Sequence, residues 1–261
     1  MFTAIGRNTF SFLGYAGEVA QLFRDTVISM FVAPIRWRLA FQQIVEIGAR
    51  SQLVVIVTGA FTGAVFAAQL FFQLRGFGME STVGSVTAVA MFRELAPALT
   101  GLMVAGRVGA AIAAEIGTMK VTEQIDALRS LGVHPTDYLV VPRTIAMMIS
   151  MPLLVGEACM LSLISAYLVS VPLLGVSEPH YLRNLYQWVT LFDVYKALIK
   201  GFLFGIIIVF VASHEGLKTT NGAAGVGKAP TEAVVISSLA ILAANFILTF
   251  LLNIFLPAGS S

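Results

Sequence analysis

Of the 261 residues, 57% are hydrophobic and only 11% charged, with a mean hydropathy of +0.88, whereas a soluble domain carries about 25% charged residues. So little charge cannot wet a surface, and the net charge of +2 comes without the Lys/Arg cluster or basic stripe that nucleic-acid binding requires. The single cysteine, Cys159, lies in an apolar run and can build neither a disulfide framework nor a cysteine-based metal site.

Taken in chain order, residues 7–46 alternate apolar patches with Arg7, Arg24, Arg36, Arg38 and Glu46. The pattern predicts a helix lying in the membrane interface, an elbow over residues 1–47 rather than a span. Its charges recur too often for a cleavable signal peptide. Residues 51–74 hold no charge and predict the first span, since roughly 20 apolar residues at 1.5 Å rise cross the hydrocarbon. Gly59 and Gly63 form a GxxxG that admits another helix, or a second copy of the chain, at close range.

Residues 84–114 predict a second span carrying Arg93, Glu94 and Arg107, and residues 115–141 turn polar with Glu115, Lys120, Glu123, Asp126, Arg129, His134 and Asp137. That stretch reads as a helical insert facing solvent. A third span covers residues 144–174 with Glu157 inside it, followed by a loop whose Tyr181 and Trp188 suit an interfacial aromatic belt. The fourth begins amphipathically at Lys196 and Lys200 and continues through residues 201–213. A Gly-rich loop is expected over 215–230 and a fifth span over 233–257.

With the N-terminus inside, eleven of the sixteen Lys and Arg fall on the cytoplasmic side: five before Ser51, then Arg107, Lys120, Arg129, Arg143, Lys218 and Lys228. The positive-inside bias therefore predicts a cytoplasmic N-terminus. Five spans then put the C-terminus on the far face.

Gly222 to Lys228 satisfy most of the phosphate-cradling pattern GxxxxGK[ST], but Ala229 stands in the Mg²⁺-binding position and Pro230 follows. An apolar span, not a β-strand, precedes it. We read it as a flexible loop, so that any ATP is bound by a partner. His134, His180 and His214 lie far apart and assemble no metal triad, and no nucleophile–base motif appears.

Arg93-Glu94-Leu95-Ala96-Pro97 lies about 15 Å into the second span at helical rise, where an unpaired charge is costly. Two readings stand: a structural ion pair, with Glu157 or Lys200 as partner, or a cavity that holds substrate. Glu157 and Lys200 also fall at similar depth and could pair with one another.

The stretch from Arg93 to Pro97, then Ala105 to Gly117, Thr122 to Leu128 and Leu131 to Pro135 resembles the signature of the MlaE/YrbE permeases, and similarity extends over most of residues 40–255. The resemblance implies an all-α polytopic membrane protein with an interfacial N-terminal helix, five transmembrane helices over 48–258 and a cytoplasmic coupling helix between the second and third, as one permease domain. It further implies two copies pairing on an ABC ATPase that uses ATP and Mg, beneath a ring of MCE-domain proteins. The chain itself would bind no cofactor and would move phospholipid between the inner and outer membranes of a diderm bacterium.

By position the resemblance implies a lipid pocket at Phe66, Leu74, Phe77, Arg93, Glu94 and Leu95, and ATPase coupling through Glu115, Lys120, Glu123, Asp126 and Arg129. Asn245 departs from the acidic residue expected in relatives, and Glu157 has no family role. A competing reading, an ion-coupled carrier or channel using Arg93, Glu94, Glu157 and Lys200, has no use for a rigid helix over 115–135.

Overall fold

The computed structural model describes residues 2–32, 34, 36–220 and 222–255, and in the first dozen residues the side chain of Phe10 alone. The Arg7 side chain and the expected end of the fifth span at 256–258 lie outside that description. Every regular element among the described residues is helical. Five stretches are long and apolar enough to cross a membrane: Trp37–Arg75, Glu80–Val121, Thr136–Leu173, Leu191–Leu217 and Gly222–Phe255. The chain is an all-α multi-pass membrane protein.

Four elements differ from expectation. The expected single elbow is two helices, α1 (Phe2–Val32) and α2 (Trp37–Ile47), parted near Pro34, which has no N–H to continue a helix. A short 3-10 turn, Ala49–Ser51, carries α2 into α3 (Gln52–Arg75), so the first spanning stretch begins before residue 51. The expected Gly-rich loop over 215–230 is instead mostly helix. Here α10 (Leu191–Leu217) runs into it and α11 (Gly222–Phe255) begins at Gly222, whose φ of +62° favours glycine. The loop with Trp188 is a further helix, α9 (Glu178–Trp188), opened by Pro179 in its first turn.

The second spanning stretch is α4 (Val83–Ala90), a π-helical turn Met91–Leu95, α5 (Ala96–Val104), a π-helical turn Ala105–Gly109 and α6 (Ala110–Val121). The third is a π-helical turn Thr136–Val140, α8 (Val141–Leu168) and a π-helical turn Val169–Leu173. Proline accounts for much of this. Pro97 and Pro142 each follow a π-helical turn by two residues, and Pro172 lies inside the last one. A missing N–H frees the carbonyl four residues earlier, and the ladder relaxes by widening.

The chain divides into two compact units. The first comprises Met1–Val45, Ala105–Met147 and Ile206–Ser237. In it α1 seats on the C-terminal end of α10: the Phe23 and Phe210 rings meet edge to face at 5.1 Å, Tyr15 stands over His214 at 4.8 Å, and Glu18 accepts from His214 Nε2 at 2.9 Å and Lys218 Nζ at 3.2 Å. Gly216 lies against Ile116 and the Ala113 carbonyl, so a side chain there would collide with α6.

The polar insert also belongs to this unit. Glu123, at φ +59°, turns the chain from α6 into α7 (Gln124–Ser130), a left-handed conformation that costs a non-glycine residue roughly 1–2 kcal/mol.

The second unit comprises Glu46–Val104, Met148–Gly205 and Ser238–Ser261. A close helix contact joins Gly59 and Gly63 of α3 to Ala158 and Ser162 of α8, small residues four apart on both sides. An added Cβ at Gly59 would lie 3.0 Å from the Ala158 carbonyl oxygen, and one at Gly63 would overlap the Ser162 backbone. The GxxxG is thus filled within the chain by α8, not left as a surface for a second copy. Gly84 of α4 admits the buried Tyr181 ring of α9, and burial pushes that phenol up to about 12.

Candidate functional site

Arg93 and Glu94 sit on the π-helical turn Met91–Leu95. Because Pro97 has no N–H, the Arg93 carbonyl lacks its usual helical donor. Lys200 of α10 supplies one, its ammonium donating to Arg93 O. The same ammonium donates to Glu94 Oε2 at 3.0 Å and to Thr249 Oγ1 at 2.8 Å, so its three N–H groups meet three acceptors, and the side chain is only 2% exposed.

Glu94 is held from a second helix as well. Asn245 Nδ2 donates to its Oε2 at 2.8 Å, and the Thr249 hydroxyl lies 2.8 Å from its Oε1. Arg93 Nε donates to Asp193 Oδ1 at 2.7 Å, while Asp193 Oδ2 accepts from the Thr190 N–H and hydroxyl, both at 3.0 Å. Asp193 is fully buried. The cluster is built by periodicity: Asp193, Lys196 and Lys200 share one face of α10, and Asn245, Thr249 and Asn253 one face of α11.

The expected Glu157–Lys200 pair is not made, but the ion pair expected between the motif and Lys200 is, through Glu94 at 3.0 Å, while Arg93 pairs with Asp193 and not with Glu157. Equal depth was the ground for the Glu157–Lys200 pair, and depth says nothing about the direction around a helix. α10 meets α8 where Gly201 faces Val155 and the Met151 carbonyl; Glu157, two residues past Val155, points about 200° away from that contact. Lys200, one residue before Gly201, turns instead toward Glu94. Asn245, where a charge interaction was in question, donates a hydrogen bond from its neutral side-chain amide to the Glu94 carboxylate.

One helical turn before Arg93, an apolar groove of about 490 Å³ opens along α4, lined by Leu74, Met79, Val86, Val89, Ala90 and Trp188, with Thr82 and Ser85. Of the residues expected to hold lipid, Leu74 lines it. Arg93 and Glu94 belong to the polar cluster. Phe66 is half-buried on α3, Phe77 is 80% exposed, and Leu95 is half-buried on the π-helical turn; none of the three lines the groove. The groove residues Val86, Val89 and Ala90 carry no signal in the sequence, because an apolar stripe in a spanning helix looks the same whether it meets lipid, a helix or a cavity.

Of the residues expected to couple to an ATPase, Lys120 and Arg129 both pair with Asp126, at 3.3 and 3.1 Å. Glu115 is held by the buried Arg143, whose Nη2 lies 2.6 Å away. Glu123 makes the bend between α6 and α7. Residues 222–228, which mimic a phosphate loop in sequence, form the opening turns of α11, with Lys228 paired to Glu232 at 2.9 Å.

The family model described as permease MlaE matches residues 40–251. A probable ABC transporter permease of Rickettsia typhi is 41% identical over 248 residues, 95% of this chain and 96% of the relative. A probable ABC transporter permease of Synechocystis is 41% identical over 218 residues, 84% of this chain and 83% of the relative. The chloroplast protein Trigalactosyldiacylglycerol 1 of Arabidopsis thaliana is 37% identical over 225 residues, 86% of this chain and 64% of the relative. A match over most of the length, on an all-helical frame with five spanning stretches, assigns the family: the chain belongs to the MlaE permeases.

Proposed function

We propose that this chain is the lipid-moving permease of an ABC transporter, a transport subunit driven by a separate ATPase that binds ATP and Mg. The relatives named as ABC transporter permeases support the class, and the lipid in the name of the Arabidopsis relative supports the substrate. The observation that carries the lipid reading is the groove. Its wall is almost wholly apolar along α4, and the same helix presents Arg93 and Glu94 one turn on. Acyl chains suit the first part and a polar headgroup the second.

The transporter works as a pair of these chains in the inner membrane of a diderm bacterium, beneath an MCE ring, with N-termini cytoplasmic and C-termini periplasmic. The whole chain acts as one permease domain. The ATPase docks on α6 and α7, where Lys120, Glu123, Asp126 and Arg129 give the orientation that charged groups lend a wet interface, and Glu115 braces the helix through Arg143. An ion-coupled carrier would leave both groove and docking helix without a use. Val89→Trp, which fills the groove, tests the reading: purified protein should assemble with the ATPase but lose co-purified phospholipid by mass spectrometry. Unchanged lipid content would contradict it.

A further inference from the structure

The polar cluster of the second unit does not balance its charge. Arg93 is matched by Asp193 at 2.7 Å and Lys200 by Glu94 at 3.0 Å. Lys196, only 3% exposed, donates to the neutral Asn253 Oδ1 at 2.9 Å and has no carboxylate within ion-pair distance among the described residues. Over Arg93, Glu94, Asp193, Lys196 and Lys200 the formal sum is +1. Lys200 shows what satisfaction looks like, with three acceptors for three N–H groups. Lys196 has one among the described residues. A buried cation without a counter-charge, with donors to spare, either gives up its proton or draws in something anionic.

A space of about 10 Å³ lies beside it, lined by Arg93, Glu94, Lys196, Lys200, Thr249 and Asn253, with Leu252. That is close to one water-sized sphere. A phosphodiester or carboxylate ligand is too large, whereas a water or a monatomic anion fits, and charge decides between these two. Water would leave the sum at +1; one halide brings it to zero. We propose that this space binds a single monatomic anion of the halide class, chloride in the cell, held by Lys196. The ion completes the junction of the second span with α10 and α11. The space shares Arg93 and Glu94 with the proposed headgroup site, but the test reads halide binding and not lipid, so its failure and that of the lipid reading are told apart.

The full chain in lipid nanodiscs should be melted in sodium chloride, sodium bromide and sodium gluconate at equal ionic strength. Chloride and bromide should raise Tm saturably by about 2–4 °C over gluconate, the size expected of a ligand of modest affinity in a chain of this length. K196M should abolish the difference, because Met fills the same room without the charge, while K218M, on the other unit, should keep it. Equal Tm in all three salts, or a halide response that survives K196M, would overturn the proposal. Should K196M fail to accumulate, wild-type crystals grown in bromide decide: an anomalous peak within hydrogen-bond distance of Lys196 Nζ is expected, and its absence, as for an ordered water, would overturn the site.

Discussion

Lys200 and Glu94 depend on each other unequally. The Lys200 ammonium is 2% exposed, whereas the Glu94 side chain is 38% exposed and keeps Asn245 and Thr249 if the lysine is lost. Removing one partner from a buried pair costs about 3–5 kcal/mol when the charge left behind is sealed in. Glu94→Ala should therefore approach that cost, Lys200→Met should cost clearly less, and Glu94→Ala with Lys200→Met together should cost less than the sum. Thermal unfolding of the wild type, each single variant and the double variant in nanodiscs closes the cycle, and strictly additive losses would contradict the pairing. The two readings of Arg93 and Glu94, ion pair or substrate cavity, stand level in the sequence. The structure supplies the pairs without removing the groove beside them, so loss of protein in Glu94→Ala does not speak against lipid. Asp193 and Thr249 were not legible: an acid near a helix start and a threonine in an apolar run are ordinary until three helices converge on them.

Among the elements, α3 and α8 approach each other closely at Gly59 and Gly63. Gly63→Ala would drive a methyl group into the Ser162 backbone, and overpacking of this kind costs about 1–3 kcal/mol or more. Gly59→Ala, where the nearest atom is 3.0 Å away, should cost less. Yields of folded protein and Tm should rank wild type, then Gly59→Ala, then Gly63→Ala; the reverse order would contradict the contact. The GxxxG was legible as a close approach, but not which helix fills it, because the motif states a distance and not a partner. The spans were legible for the same kind of reason, since apolar length is a one-dimensional property. The helical start of α11 was not, because Gly and Pro report local propensity while packing decides.

The seat of α1 on α10 carries a pH dependence. Hydrogen bonds from His214, then Lys218, hold the Glu18 carboxyl below its ordinary 4.5. A depressed carboxylate contributes its stability above the unfolded value and loses it as pH falls through the folded one. The Glu18 contribution to the seat should be present above about pH 4.5 and be lost below it. Hydrogen exchange of α1 amides, corrected for intrinsic rates, should quicken in that acid range in the wild type. In Glu18→Gln it should already be faster at neutral pH, with little further change in acid. Equal protection in both proteins at every pH would contradict the latch.

At the scale of the whole molecule, the charge distribution and the run of five spanning stretches make a polytopic transporter legible in the sequence, and the motif from Arg93 to Pro135 makes the family legible. Substrate and energy source are properties of an assembly, and one chain states them only through its surfaces, here an apolar groove along α4 and the charged helix α7. The most direct measurement is phospholipid transfer in proteoliposomes holding this chain with its ATPase, read with fluorescent lipid alongside an ion-flux dye. The expected result is lipid movement that needs both subunits and hydrolysable ATP, falls severalfold in Val89→Trp, and brings no ion flux. Ion flux by this chain alone, with lipid unmoved by ATP, would contradict the assignment.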